Sequence, residues 1–399
     1  MTNEVKKVPE LRFPEFDGEW EETRADELFS SISDKNHSGM LQPLSATQDR
    51  GMVLREELDK DIQFNNKSLK SYKKTLPGDF IISLRSFQGG FEYNNLLGLV
   101  SPAYTVLRKN DDNIDEMFFK YYFKRSWFIK KLDSMIYGIR DGKSISFNDF
   151  STFKINISSL NEQQKIGEFF SKLDQQIELE EQKLSLLEEQ KKGYMQKIFS
   201  QELRFKDESG NEYPEWEDKL ISDIGKVVTG NTPSKKDNDY WNSNQYVWVT
   251  PTDISNKKNI YTSGYQLSQK GFSKARQLPK NTLLITCIAS IGKNAILRIE
   301  GSCNQQINAV IPNDNYDVDY LYYAFEDVSK LMKSIAGKTA TQIVNKAVFE
   351  KLLLNVPIYE EQQKISGFLN KVDILIDKQT QKIDELKLRK QGFLQKMFV

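Results

Sequence analysis

A chain of 399 residues is longer than one hydrophobic core usually serves, so at least two domains are required. Lys and Arg together number 56, as do Asp and Glu, which excludes a uniformly basic or acidic protein and leaves any polyanion-binding surface to local charge. Cys287 and Cys303 are too few for a disulfide framework, and no apolar run has the length of a membrane span or a signal-peptide h-region. A soluble, cytoplasmic protein is expected.

The chain opens on a polar tail that carries ELRF at residues 10–13. Residues 21–158 then alternate short β-rich apolar runs with Gly, Pro, Asn and Ser, as in LPGDFIISLRSFQGG from Leu76 and GLVSPAYTVL from Gly98. An aromatic helical stretch follows, MFFKYYFKRSWF from Met117, and residues 161–199 read as one long helix. The order then starts again. ELRF returns at 202–205 and the EWE of 19–21 at 215–217. LPKNTLLITCIASIG from Leu278 and GSCNQQINAV from Gly301 parallel the earlier runs, YLYYAFEDVSKLM supplies the aromatic helix, and a second long helix closes the chain. Aligned without gaps, residues 150–200 and 349–399 are identical at 19 of 51 positions, which marks an internal repeat. The expected fold class is α+β, divided into residues 1–158 (tail and first domain), 159–200 (first helix), 201–357 (linker and second domain) and 358–399 (second helix).

In the first helix Ile166, Phe170, Leu173, Ile177, Glu180, Leu184, Leu187, Lys191, Tyr194 and Ile198 are spaced alternately four and three apart. Ile365, Leu369, Val372, Ile376, Gln379, Ile383, Leu386, Lys390, Phe393 and Met397 repeat the seam in the second. That is heptad spacing. A stripe along a helix about 58 Å long needs a partner, and the other copy is the nearest one. Antiparallel pairing about a pseudo-two-fold axis is expected to set Glu180 near Lys390 and Gln379 near Lys191.

Catalytic signals are weak. His37 lies in the polar loop SDKNHSG without acidic or cysteine neighbours that would make a metal site, and no Gly-x-Gly-x-x-Gly fingerprint follows a strand. GIRDGKS at 138–144 is one residue short of a phosphate-binding Walker loop and follows an aromatic helix; AGKTA at 336–340 lacks the first glycine. The Glu-x-Lys fragments Glu217/Lys219 and Glu385/Lys387 fall in a tail and on a long helix, with no metal-binding partner. Catalysis by this chain alone is not expected, and neither is a metal site.

Local charge is more informative. Residues 254–299 hold eight basic residues (Lys257, Lys258, Lys270, Lys274, Arg276, Lys280, Lys293 and Arg298) and no acid. Residues 117–132 carry Lys120, Lys124, Arg125, Lys130 and Lys131 between aromatics, again without an acid, and residues 62–110 hold seven basics against two acids. Such runs fit phosphate contact by counterion release, while Asn, Gln and Arg have the two-pronged geometry that reads base edges. The candidate DNA-binding residues are Arg85, Ser86 and Gln88; Lys124, Arg125 and Lys143; Thr232, Ser234 and Lys235; Lys274, Arg276 and Lys293; and Asn304, Gln305 and Gln306. Each of the loop residues, taken singly, is also a plausible turn former or strand end.

EQQKI opening both helices at 162–166 and 361–365, the run GNTPSKKDNDYWNSNQYVWVTPTDI, and the order domain, helix, domain, helix resemble the specificity subunits of Type I restriction-modification systems over nearly the whole chain. The resemblance implies two target recognition domains separated by an antiparallel pair of long helices, each domain reading one half of an asymmetric, gapped sequence in double-stranded DNA. It also implies a non-catalytic chain with no cofactor of its own. Two modification subunits would carry S-adenosylmethionine and methylate adenine, and restriction subunits would use ATP and Mg²⁺ to translocate and cut. The helices would act as a ruler holding the half-sites about one duplex turn apart, roughly 34 Å. The first domain departs from the pattern, reading SSISDKNHSG where the second has its GNTPS loop. A self-sufficient methyltransferase or nuclease would need a methyl-donor fingerprint and an Asn/Asp-Pro-Pro-aromatic motif, which do not occur. A coiled-coil scaffold without a DNA role is the alternative.

Overall fold

The computed structural model describes residues 7–48, 50–58, 66–134, 145–241, 243–254, 257–337 and 343–399. Lys143, with the whole of GIRDGKS, and residues 338–340 of AGKTA lie outside them. Two helices run through the expected repeats, α1 (Leu160–Phe199) and α2 (Tyr359–Lys396). The chain divides into two compact units, Met1–Lys183 with Gln379–Val399, and Leu184–Lys378. Among the described residues, no helix is long and apolar enough to cross a membrane.

The first unit is built on a four-stranded antiparallel sheet of β1 (Phe29–Ile32), β2 (Phe80–Ile82), β3 (Glu92–Tyr93) and β4 (Thr105–Lys109), in the order β1-β4-β2-β3. Its core is aromatic: Phe29 packs on Phe80, Phe119 and Phe123, and Phe123 on Phe91, Phe128 and Phe150. The aromatic run from Met117 therefore faces inward, with Phe118, Phe119, Phe123 and Phe128 fully buried.

The second unit carries a five-stranded sheet. Its strands are β5 (Gly225–Thr229), β6 (Asn259–Ile260), β7 (Thr282–Thr286), β8 (Asn294–Leu297) and β9 (Ile307–Pro312), in the order β5-β9-β7-β8-β6. Alternation along β7 explains why its central residues are all apolar: Leu283 and Ile285 enter one core cluster and Leu284 another on the opposite face. The first cluster is closed by the helix Val318–Ala336, whose Leu321, Phe325, Val328 and Met332 recur at helical spacing. A three-stranded sheet of Tyr246–Val249, Tyr265–Leu267 and Gly301–Cys303 completes the unit.

The repeated motifs fasten each unit internally. Arg12 of ELRF donates through Nε and Nη2 to both oxygens of Glu162, at 2.8 Å each, and Arg204 of the second ELRF does the same to Glu361. The next residue of EQQKI caps the domain: Gln163 accepts the Asp115 N–H, and Gln362 the Asp317 N–H. Those two aspartates are the N-caps of the aromatic helices, accepting from Phe118 N and Tyr320 N.

Within each unit the two long helices run antiparallel. In the first, Ile166, Leu173, Ile177, Gln379 and Ile383 are buried, and Lys390 is half-buried. In the second, Ile198 and Ile365 are buried while Leu184, Lys191, Val372 and Ile376 are half-buried. The expected register needs correction. Glu180 pairs with Gln379, which donates Nε2 to its side chain at 2.7 Å, and with Lys382, rather than with Lys390. Lys390 pairs with Asp174, and its repeat counterpart Lys191 with Asp373 at 2.7 Å. An apolar heptad seam is unchanged by sliding, so the register falls to these off-seam aspartates. Each also accepts from an aromatic-helix hydroxyl, Tyr121 to Asp174 and Tyr323 to Asp373.

Candidate nucleic-acid interface

The register of the second unit gathers loops at one end of its larger sheet. Thr229 of β5 lies opposite Asn308 of β9, Thr286 of β7 opposite Ile307, and Ile285 opposite Asn294 of β8. Residues 230–236, 287–293 and 304–306 therefore emerge together. Thr232 donates its hydroxyl to Gln305 Oε1 at 2.6 Å, joining the GNTPS loop to CNQQIN. A fourth segment is drawn in by Asn231, whose Nδ2 donates to the Lys274 carbonyl at 2.9 Å and whose Oδ1 accepts the Arg276 N–H at 2.6 Å.

Thr232, Ser234, Lys235, Lys274, Arg276 and Gln305 are thus brought together, and all but the half-buried Thr232 are exposed. Ser234 fixes its loop through its carbonyl, which accepts from Trp241 Nε1 at 3.1 Å, and Lys235 lies over the ring of the exposed Tyr265. Lys293 is exposed in the 287–293 loop. Among the described residues, Lys235, Lys274, Arg276 and Lys293 enter no ion pair. Three other cations of the run behave differently: Lys258 and Arg298 both bind Asp319, and Lys270 binds Asp239.

Two members of the CNQQIN candidate set, the buried Asn304 and the half-buried Gln306, bond to each other. Asn304 is 8% exposed, accepts the Gln306 N–H and donates Nδ2 to the Gln306 side chain. Those two residues close the turn, leaving Gln305 as the side chain offered outward.

In the first unit the equivalent sheet end carries residues 33–39, 83–90 and 101–104, because Ile32 lies opposite Val106 and Ile82 opposite Thr105. Arg85 and Gln88 are exposed there, Gln88 accepting from Gln48 at 3.4 Å. Three candidates are corrected. Ser86 is 1% exposed and its hydroxyl accepts the Ser83 N–H, so it forms the turn. Lys124 is spent on Glu92 at 2.6 Å and on the Gly89 carbonyl. Arg125 is buried, donates to the Val399 carbonyl at 2.7 Å and lies over the rings of Tyr122, Trp127 and Phe398. Three cations of residues 62–110 are likewise paired within the fold: Arg108 with Asp79, Lys109 with Glu116 and Lys74 with Asp34.

Cys287 and Cys303 are free and buried, and burial pushes their thiols up to about 11 and about 12, so neither is a thiolate nucleophile at neutral pH. Among the described residues no group of three His, Cys, Asp or Glu side chains is disposed to hold a metal ion. His37 holds its own loop, with Nε2 at 2.9 Å from the Tyr72 carbonyl.

Sequence reasoning passed over Asn231. Its signal was its position between Gly230 and Thr232, where the amide can satisfy two backbone groups at once. Gly230 is required there, because a Cβ would stand 2.2 Å from the Asn304 carbonyl oxygen.

Two mixed domains, each joined to a long helix and related by an internal repeat, define an architecture shared with solved specificity subunits. The S subunit of a Type-I restriction-modification system from M. genitalium superposes with a TM-score of 0.59 at 14% identity, covering 98% of this chain and 99% of that one. A chain solved to explain complex assembly and conformational transition of the type I R-M system gives 0.58 at 16% identity, covering 95% and 97%. A family model described as the type I restriction modification DNA specificity domain matches twice, at residues 19–189 and 213–388, and the chain belongs to that family. Among curated relatives, the Type I restriction enzyme MjaIX specificity subunit of Methanocaldococcus jannaschii is 34% identical over 186 residues, 45% of this chain and 43% of that protein. The HindI specificity subunit of Haemophilus influenzae is 30% identical over 165 residues, 39% and 36%. The chain thus spans less than half the length of these relatives.

Proposed function

We propose that this chain is the non-catalytic specificity subunit of a Type I restriction-modification complex. Each domain reads one half of an asymmetric, bipartite sequence in double-stranded DNA. The long helices receive two modification subunits, with restriction subunits joining that assembly; S-adenosylmethionine, ATP and Mg²⁺ belong to the partners. The observation that supports DNA reading is the union of four loop segments in the second domain, where Thr232 and Asn231 join Gln305, Lys274 and Arg276. That set combines unpaired cations for phosphate with an outward amide for a base edge. Repeated helices fit two copies of one partner, and divergent domains fit unlike half-sites.

Co-expression with a cognate modification subunit, followed by genome-wide mapping of methyladenine, tests the reading. The expected product is a split motif, two short defined halves around a fixed unspecified gap. Exchange of residues 218–357 for another such domain should alter one half-site and keep the other. A stable complex that leaves no split motif would favour a scaffold without a DNA role.

A further inference from the structure

Resting on the DNA-reading assignment above, we propose that Gln305 reads an adenine in one half-site and that Asn231 is the positioning residue that fixes the cationic loop beside it. Thr232 spends its hydroxyl hydrogen on Gln305 Oε1 at 2.6 Å, while the glutamine itself is exposed. That bond orients the amide. Oε1 keeps its second lone pair and Nε2 keeps both hydrogens. The outward face is therefore one donor beside one acceptor. Adenine offers the complement in the major groove, N7 to accept and the N6 amino group to donate, whereas guanine offers two acceptors.

Every polar atom of Asn231 is already engaged within the fold. Its Oδ1 and Nδ2 hold the Arg276 N–H and the Lys274 carbonyl, its N–H donates to the Cys303 carbonyl at 3.0 Å, and its carbonyl accepts from Trp248 Nε1 at 3.0 Å. Four chain segments meet on this residue. Lys274 and Arg276 are thereby kept at a set offset from Gln305, the arrangement needed if phosphate contacts are to establish the register of a base contact.

The test uses the whole chain assembled with its modification subunits and maps methyladenine for the wild type and for Gln305→Ala, Thr232→Val, Thr232→Ser and Asn231→Ala. Gln305→Ala and Thr232→Val should relax the same single position, an adenine in the wild-type motif, with discrimination there falling about tenfold or more. Thr232→Ser, which keeps the hydroxyl, should retain the wild-type motif. Asn231→Ala should reduce methylation at all sites alike without changing the bases read. The untouched half-site, unchanged throughout, reports an intact assembly. The inference is overturned if Gln305→Ala leaves the motif unchanged, if the two variants relax different positions, or if the relaxed base is not adenine. Should Thr232→Val fail to assemble, Gln305→Ala, a change at an exposed side chain, decides alone. A wild-type complex without any split motif would instead sink the DNA-reading assignment itself.

Discussion

Arg204 grips both oxygens of Glu361, Nε at 3.3 Å and Nη2 at 2.7 Å, and the carboxylate has no exposed surface. Trp216 adds a third donor through Nε1 at 3.1 Å. One side chain at the start of α2 thus ties down both the ELRF tail and the EWE segment of its unit. The guanidinium is in turn held above its ordinary pKa, chiefly by the hydrogen bond to Glu361.

Glu361→Gln should therefore cost about 3 kcal/mol, because it leaves a partly buried guanidinium without its counter-charge. Glu162→Gln in the other unit should cost less, since among the described residues Trp20 Nε1 has no hydrogen-bond partner and Arg12 alone donates to that carboxylate. Urea unfolding of the two variants, monitored by tryptophan fluorescence, measures the difference.

The helix register predicts a second asymmetry between pairs. A double-mutant cycle on Asp174→Asn and Lys390→Gln should give a coupling of about 1 kcal/mol, as expected for a half-exposed ion pair. The corresponding cycle on Glu180 and Lys390 should give none, since Glu180 is bound by Gln379 and Lys382.

The repeat and the seam were legible because they rest on periodicity. Register was not: a heptad pattern says which residues face the partner helix but survives sliding, and Asp174 stands off the seam. The repeat did hold a clue, since Asp174 and Asp373 are identical at equivalent positions. Cations in the first domain misled for a different reason. Sequence displays Lys124 and Arg125 as free charge, but their partners, Glu92 and the Val399 carbonyl, are far away along the chain and are found only by folding. EQQKI read as a family mark and ELRF as a mark of the repeat, and the structure gives both a packing role.

Asp319 should make the second unit sensitive to acid. Burial pushes its pKa up, but hydrogen bonds from Arg298 at 2.5 Å and contact with Lys258 at 2.6 Å outweigh that and hold it below the ordinary value of 3.8. A folded-state pKa below the unfolded one stabilises fully above about 3.8, and that contribution is lost as pH falls through the depressed value. Asp319→Asn should cost about 2 kcal/mol at pH 7, and the gap to the wild type should shrink as pH falls below 3.8. Urea titrations at pH 7 and pH 3 provide the comparison.

Salt dependence distinguishes the cations that face DNA from those that hold the fold. Binding of the assembled complex to duplex DNA should weaken with salt, each phosphate contact adding about 0.9 to the slope of log K against log salt. Lys274→Ala and Arg276→Ala should each lower that slope by about this amount and weaken binding alike for all sequences. Arg125→Ala should leave the slope unchanged, since its guanidinium is buried against Tyr122, Trp127 and Phe398 and bonded to the Val399 carbonyl. Its cost, about 2 kcal/mol, should appear in the stability of the first unit, where the lost contacts are packing and cation–π attraction. A slope lowered by Arg125→Ala without loss of stability would return that residue to the DNA face and overturn the inward assignment of the first domain's aromatic helix.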